Sequence, residues 1–108
     1  MVENIRRFQV WLVDLNPTRG SEINKRRPWV IISPNELHSL STVIVAPMTT
    51  KGFQIDSRVE LNFQNKKGLI ILDQIRTIDK NRLVKNLGEI SINTQTKVCD
   101  CLQEMFSY

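Results

Sequence analysis

Three consecutive cations stand directly before a proline and an apolar run in the segment KRRPWVIISP, residues 25–34. Pro28 disfavours the helical region for the residue before it, so Arg27 is expected to be extended and to project its side chain in a defined direction. A planar guanidinium that is always charged suits a phosphate, or negative charge developing on one. Arg27 is therefore the first candidate for chemistry on a phosphodiester.

The residues before Arg27 are also strongly basic. The segment NPTRGSEINKRRP carries Arg19, Lys25 and Arg26 as well as Arg27, against the single acid Glu22. A loop of this charge favours a negatively charged partner, although composition alone fits a solvated surface loop equally well.

A second candidate is the pair of adjacent hydroxyls at Thr49 and Thr50, which follows the proline of VAPMTT. Two threonines at a strand end are commonly turn formers, but a hydroxyl beside Arg27 would donate a hydrogen bond to a phosphoryl oxygen. Spacing in the sequence does not decide whether Thr49 and Arg27 meet.

Asp73, Gln74 and Arg76 form a third polar cluster in LDQIRTID, interpreted most simply as a hydrogen-bonded structural network. His38 is the only histidine and is interpreted as a surface residue in preference to a general base. Cys99 and Cys101 lie far from His38, so the sequence predicts neither a zinc site nor a disulfide framework, and no cofactor.

The composition is that of an ordinary globular protein. The chain has 108 residues, 41% of them hydrophobic, with a net charge of +4 and a pI near 9.4. We expect one domain over residues 1–108, and the basic bias favours an anionic partner only slightly. No window approaches the ~20 apolar residues of a membrane helix and no signal peptide is evident, so a cytoplasmic location is expected.

Turn signals divide the chain into short apolar segments that would position these residues. Several are too continuously apolar to be half exposed, which predicts the inner strands of a small bent sheet or barrel. A short helical turn is expected near residues 79–82. Ser91 is predicted to cap a C-terminal amphipathic helix whose apolar arc includes Ile92, Val98, Leu102 and Met105. The predicted strands are Phe8–Leu15, Trp29–Ser33, Thr42–Pro47, Ser57–Phe63, Gly68–Asp73 and Leu83–Ile90.

The ordered set WLVDLNPTRGSE, RRPWVIISP, TVIVAPMTT and GLIILDQIRTIDKNRLVKNLGEIS resembles the MazF/PemK family of toxin endoribonucleases from toxin–antitoxin pairs. The match runs from about Phe8 to the C-terminal helix. It implies a mainly β fold with a C-terminal α-helix, a small barrel related to SH3-like and CcdB-like folds, and a symmetric homodimer. It also implies metal-independent, sequence-specific cutting of single-stranded RNA and a cognate antitoxin with an acidic inhibitory segment.

The resemblance assigns roles to individual residues. The arginine before the proline that opens the second strand, Arg27, and the first threonine after the proline of the third, Thr49, match the family's catalytic pair. Glu22 matches the glutamate of the loop that closes over substrate, and Asp73 and Gln74 match the family's DQ pair.

The Kid/PemK branch differs from this sequence at two positions. That branch has a histidine and an arginine where this chain has Ser21 and Ile71. Its His/Arg/Asp scheme therefore does not transfer, and the chain is expected to lie closer to the MazF branch.

Cutting RNA without a metal most simply uses the ribose 2′-hydroxyl as nucleophile and gives a 2′,3′-cyclic phosphate and a 5′-hydroxyl. Arg27 would stabilise the phosphorane and Thr49 would donate a second hydrogen bond. The general base stays open, with Glu22 a weak candidate that is at least as well explained by pairing with loop cations.

Two alternatives use the same fold: a non-catalytic RNA-binding module and a gyrase poison resembling CcdB. In the endoribonuclease interpretation, Trp29 is expected in the core and Phe53 is the better aromatic for stacking a base. The predicted RNA-binding residues are Arg19, Lys25, Arg26, Thr50, Lys51, Phe53, Gln74 and Arg76.

Overall fold

A computed structural model describes residues 4–15 and 26–107. Within these two ranges seven antiparallel strands precede one helix, in agreement with the predicted mainly β fold. The strands are β1 Gln9–Val13, β2 Arg27–Ile31, β3 Thr42–Thr49, β4 Arg58–Phe63, β5 Lys66–Ile71, β6 Arg76–Asp79 and β7 Leu83–Glu89, and the helix is α1 Ile92–Met105. Short 3-10 turns lie at Asn35–Leu37, Leu72–Gln74 and Lys80–Arg82.

The strands form a bent sheet in the order β4-β5-β3-β2-β1-β7. Strand β3 is the longest and pairs with β2 on one edge, while its other edge pairs first with β6 and then with β5. The 3-10 turn at Leu72–Gln74 separates β5 from β6, so the chain bends there while both strands follow β3. The result is a half-barrel with β3 at its centre.

The continuously apolar strands are explained by burial on both faces of the sheet. In β2, Trp29 and Ile31 join one cluster with Val45, whereas Val30 joins a second cluster that packs under α1 with Val98. Side chains alternate between faces along a strand, so a sheet covered on both sides needs apolar residues at every position. Trp29 is buried, as expected.

Strand β6 was not predicted. The sequence from Arg76 to Asp79 contributes only Ile78 to the core, and its other residues are exposed. Its extended conformation follows from pairing with the first half of β3, where Ile78 lies opposite Val43. The predicted helical turn is present after it, at Lys80–Arg82.

Helix α1 begins as predicted, because the Ser91 hydroxyl accepts a hydrogen bond from the Thr94 N–H at 3.2 Å. The predicted apolar arc is wrong at Ile92, whose side chain is 78% exposed. Ile92 lies six residues before Val98, which is about 240° around an α-helix, and the buried arc instead runs through Thr94 and Val98.

Near its C-terminal end α1 is joined to the loop between β3 and β4. The Cys101 thiol donates a hydrogen bond to the carbonyl oxygen of Asp56 at 3.2 Å. Burial, reinforced by neighbouring carboxylates, raises the pKa of Cys101, so the thiol stays protonated and able to donate. No helix in the described ranges is long and apolar enough to cross a membrane.

Candidate active site

A groove of about 460 Å³ contains both Arg27 and Thr49, and it is called the Arg27–Thr49 groove below. It lies where β2 begins, β3 ends and the β4–β5 hairpin folds over. Its polar lining also includes Thr50, Lys51, Gln64, Lys66 and Lys67, and its apolar lining includes Met48, Leu61, Phe63 and Leu87.

Strand register explains why Arg27 and Thr49 share this groove. Trp29 is paired with Pro47 in the β2–β3 ladder, and the same antiparallel register extended by two residues sets Arg27 opposite Thr49. Arg27 is also paired with Val13 of β1, so the backbone that carries the guanidinium is held within the sheet. The predicted pair is thus brought to one place by backbone pairing.

The Thr49 hydroxyl is oriented by its own turn. Its oxygen accepts a hydrogen bond from the Lys51 N–H at 3.1 Å, which leaves the hydroxyl hydrogen to be donated elsewhere. Thr49 is also paired with Leu69 of β5. The neighbouring Gly68 makes this approach possible, because a Cβ there would lie 2.9 Å from the Thr49 carbonyl oxygen.

The Arg27–Thr49 groove is cationic. Of the described residues that line it, four are positively charged and none is acidic. Within residues 4–15 and 26–107 no carboxylate forms an ion pair with Arg27. Such a surface attracts phosphate, and its apolar floor suits the faces of bases or sugars.

Two of these cations, Lys66 and Lys67, were missed by the sequence reasoning. They directly follow the turn of the β4–β5 hairpin, whose two turn residues Gln64 and Asn65 have φ of 52° and 66°. That geometry belongs to a two-residue hairpin turn, which the segment FQNKKG could have indicated. The hairpin folds the lysines back over the end of β3.

Other predicted RNA-binding residues lie elsewhere or outside the described residues. Arg26 forms an ion pair with Asp14, with 3.5 Å between Nε and Oδ2. Gln74 and Arg76 are exposed and do not line the groove. Three predicted residues, Arg19, Glu22 and Lys25, fall in the segment 16–25, outside the described residues.

Asp73 lies in a network beside the β3–β4 loop. Its carboxylate accepts hydrogen bonds from Ser57 Oγ at 2.9 Å and Arg58 Nε at 3.2 Å. The hydrogen bond from Arg58 is the main cause that lowers the pKa of Asp73, so the carboxylate is ionised at neutral pH. Phe53 of the same loop is 68% exposed.

His38 is occupied by structural hydrogen bonds. Its Nδ1 lies 3.1 Å from the Ile5 carbonyl oxygen, which can only accept, so Nδ1 carries the hydrogen. Its Nε2 then accepts from the hydroxyl of buried Ser33 at 2.9 Å. His38 is not among the groove-lining residues. In the part of the chain that the structure describes, no group of three or more His, Cys, Asp or Glu side chains is arranged to hold a metal ion.

A second groove of about 520 Å³ adjoins the first and shares Thr50, Leu61, Lys67 and Gly68 with it. It extends between the β3–β4 loop and the first two turns of α1, and its charged lining residues are Lys67, Lys97 and the acid Glu60. An extended ligand seated at Arg27 and Thr49 therefore has a continuous surface beyond them.

Comparison with known proteins shows the family of this chain. Residues 6–106 match the model of the PemK-like, MazF-like toxin of type II toxin–antitoxin systems. A curated relative, Endoribonuclease MazF of Staphylococcus epidermidis, is 35% identical over 105 residues, covering 91% of this chain and 88% of the relative.

Solved structures show the same fold. A mycobacterial endoribonuclease in complex with its cognate antitoxin is 26% identical, with a TM-score of 0.79 and coverage of 94% of this chain and 93% of that one. MazF from Deinococcus radiodurans is 20% identical, with a TM-score of 0.76 and coverage of 96% and 97%. With a family model spanning nearly its whole length, this chain belongs to the PemK-like, MazF-like toxins of type II toxin–antitoxin systems.

Proposed function

We propose that this chain is a sequence-specific endoribonuclease that cuts single-stranded RNA without a metal ion and leaves 2′,3′-cyclic phosphate and 5′-hydroxyl ends. The observation that carries the proposal is the placement of Arg27 and Thr49 in one cationic groove whose described lining holds no acid. The endoribonuclease relative and the family match support the same reaction class.

In this mechanism the RNA supplies its own nucleophile. The 2′-hydroxyl gives its proton to a base, its oxygen attacks the adjacent phosphorus, and the bond to the 5′-oxygen breaks as that oxygen takes up a proton and leaves as the 5′-hydroxyl. Arg27 stabilises the negative charge that builds on the phosphorane, and Thr49 donates a second, weaker hydrogen bond because it is neutral. The Thr49 hydroxyl can make this bond because its oxygen accepts a hydrogen bond from the Lys51 N–H, so its own hydrogen is left to be donated to the phosphate.

The acceptor of the first proton is the open part of the mechanism. The described lining of the groove contains neither a carboxylate nor a histidine. Arginine is a poor base because its guanidinium is always protonated in proteins. Glu22 is the candidate base, and its alternative role is to pair with loop cations. In a pH–rate profile, Glu22→Gln removes the acidic limb if Glu22 is the base and keeps that limb if it only shapes the loop.

We further propose that the RNA backbone follows the cations. Lys51, Lys66 and Lys67 line the groove, and the basic segment with Arg19, Lys25 and Arg26 comes directly before β2 in the sequence. Gln74 and Arg76 lie outside this path and would contact RNA only beyond the groove.

The proposed partner besides RNA is a cognate antitoxin. An acidic, partly disordered segment would bind the cationic groove and exclude RNA, folding as it binds. The mycobacterial structure contains an endoribonuclease with its antitoxin, which supports such a partner. A homodimer in the cytoplasm is the proposed working state.

The test is to incubate the purified chain with RNA of mixed sequence in EDTA and to map the new ends. Cuts at a short motif with cyclic phosphate ends support the proposal. A mobility shift without cuts supports a non-catalytic RNA-binding module, and neither effect supports a gyrase poison of the same fold. Cuts that EDTA abolishes would contradict the metal-independent mechanism.

A single-atom substitution in the substrate tests the nucleophile. Replacing the one 2′-hydroxyl next to the scissile phosphate by hydrogen leaves the phosphate charge intact, so binding persists and cleavage stops. Cleavage of that deoxy-substituted strand at the same bond would mean that water attacks directly.

A further inference from the structure

The aromatic ring of Phe53, in the loop between β3 and β4, packs on a charged pair of side chains. The cluster of Phe53, Ser57, Arg58 and Asp73 is called the Phe53 platform below. The Arg58 Cζ lies 5.1 Å from the centroid of the Phe53 ring, within the range of a cation–π contact. Phe53 is 68% exposed, while the Arg58 side chain is only 14% exposed. The guanidinium thus covers one face of the ring and the other face meets solvent.

Arg58 is fixed through all three of its guanidinium nitrogens. Nε and Nη2 donate to the two oxygens of Asp73 at 3.2 and 3.4 Å, and Nη1 donates to the Phe53 carbonyl oxygen at 3.2 Å. Asp73 is itself held by Ser57, and Arg58 keeps the Asp73 carboxylate ionised by lowering its pKa. The Phe53 ring therefore packs on a bidentate Arg58–Asp73 ion pair, and Asp73 lies just after the end of β5.

The backbone of the loop is held as well. Gln54 Nε2 donates to the Arg58 carbonyl oxygen at 2.7 Å and to that of Ile55 at 3.0 Å. The Cys101 thiol of α1 holds the Asp56 carbonyl oxygen. A surface aromatic that is ordered before binding loses little conformational entropy when a ligand stacks on it.

The platform begins two residues past Lys51, which lines the Arg27–Thr49 groove, and Phe53 is not among the groove-lining residues. Proteins that bind single-stranded nucleic acid combine a cationic groove for the backbone with aromatic side chains on which bases stack. This combination makes the open face of Phe53 the candidate surface for a base whose phosphate lies among the cations of the groove.

We propose that Arg58 and Asp73 are positioning residues that hold Phe53 as a stacking surface for one base flanking the cleaved bond. This inference rests on the proposed function. It gives Asp73 a role in substrate recognition and none at the reacting phosphate.

The test compares Phe53→Ala with Phe106→Ala on a short RNA that carries the mapped cut motif. Phe106 is the matched control, a phenylalanine that is 70% exposed at the end of α1. Loss of base–aromatic stacking corresponds to a KM about 5- to 150-fold higher for Phe53→Ala, with kcat kept. Phe53→Trp should restore the wild-type KM, and Phe106→Ala should leave both constants unchanged.

The positioning role is tested by a double-mutant cycle. Asp73→Asn and Arg58→Gln should each raise KM by less than Phe53→Ala does. In the Phe53→Ala background, Asp73→Asn should not raise KM any further. Removing single bases from a non-cleavable RNA identifies the stacked base, because its loss should weaken binding to wild type but not to Phe53→Ala.

Three outcomes overturn the inference. One is an unchanged KM for Phe53→Ala in a preparation that cuts RNA normally, which leaves the proposed function intact. Another is a fall in kcat for Asp73→Asn that persists in the Phe53→Ala background, which would place Asp73 at the phosphate. A wild-type chain that neither cuts nor binds RNA would overturn the proposed function and this inference together.

Discussion

The charge of the Arg27–Thr49 groove predicts how RNA binding depends on salt. The affinity for a single strand falls with salt with a logarithmic slope of about −0.7 for each neutralised phosphate. If Arg27, Lys51, Lys66 and Lys67 each neutralise one phosphate, the slope is about −2.8 and affinity falls about 50-fold between about 50 and 200 mM salt. The double substitution Lys66→Gln and Lys67→Gln should reduce the slope to about −1.4 and the loss to about 7-fold.

The assay is the fluorescence anisotropy of a labelled RNA that carries the single 2′-deoxy substitution, titrated at several salt concentrations. The matched control is the double substitution Arg6→Gln and Lys85→Gln, which removes the same charge from exposed sites outside the groove lining. The control should keep the wild-type slope. An unchanged slope in the Lys66 and Lys67 variant, or an equal loss of slope in the control, would mean that overall charge and not the hairpin lysines binds the strand.

Three further predictions concern catalysis, packing and pH. Arg27→Ala should lower the rate of single-turnover cleavage by about 10²- to 10³-fold while the chain stays folded, and Thr49→Ala should lower it by a smaller factor. An equal rate in Arg27→Ala and wild type would refute the role of the guanidinium. Gly68→Ala should lower the free energy of unfolding by about 1–3 kcal/mol in urea titrations and slow cleavage under folding conditions, since its Cβ would press 2.9 Å from the Thr49 carbonyl oxygen. The pKa of Asp73 is lower in the folded chain than in the unfolded chain, where it is about 3.9. The contribution of the Asp73 ion pair to folding stability is therefore complete above the unfolded pKa and is lost as the pH falls through the folded pKa. The difference in unfolding free energy between wild type and Asp73→Asn should be about 1 kcal/mol or less at pH 7 and vanish in acid, and a difference independent of pH would contradict the ion pair.

Most of the fold could be predicted because strands that are buried on both faces have unbroken apolar runs in the sequence, as in residues 29–32. Strand β6 could not, since its extended backbone depends on hydrogen bonds to β3 and only Ile78 carries a core signal. The apolar arc predicted for α1 is wrong at Ile92 because this residue, in the first turn of the helix, faces solvent on a different side from Val98.

The parts of the candidate site that depend on neighbouring residues in the sequence could be predicted. Pro28 marks Arg27 as extended, and the end of the TVIVAP strand marks Thr49. The Lys66 and Lys67 contribution depends on a hairpin folding over the end of another strand, which no local pattern specifies. The support of Phe53 by Arg58 and Asp73 joins residues 15 positions apart in sequence and became visible only in the fold.

The central position of β3 has a consequence for motion near Thr49. Because β3 is bonded to β2 on one side and to β6 and β5 on the other, it cannot open without releasing three strands at once. Its amide hydrogens from Val43 to Ala46 should therefore exchange with solvent only through global unfolding, whereas those of the β3–β4 loop exchange through local openings. The hydroxyl proposed to act on phosphate is thus carried by a strand that we expect to exchange slowly, and the aromatic proposed to read a base is carried by a loop that we expect to exchange faster. Adjustment to different RNA sequences can then occur in the loop while the strand that carries Thr49 stays in place.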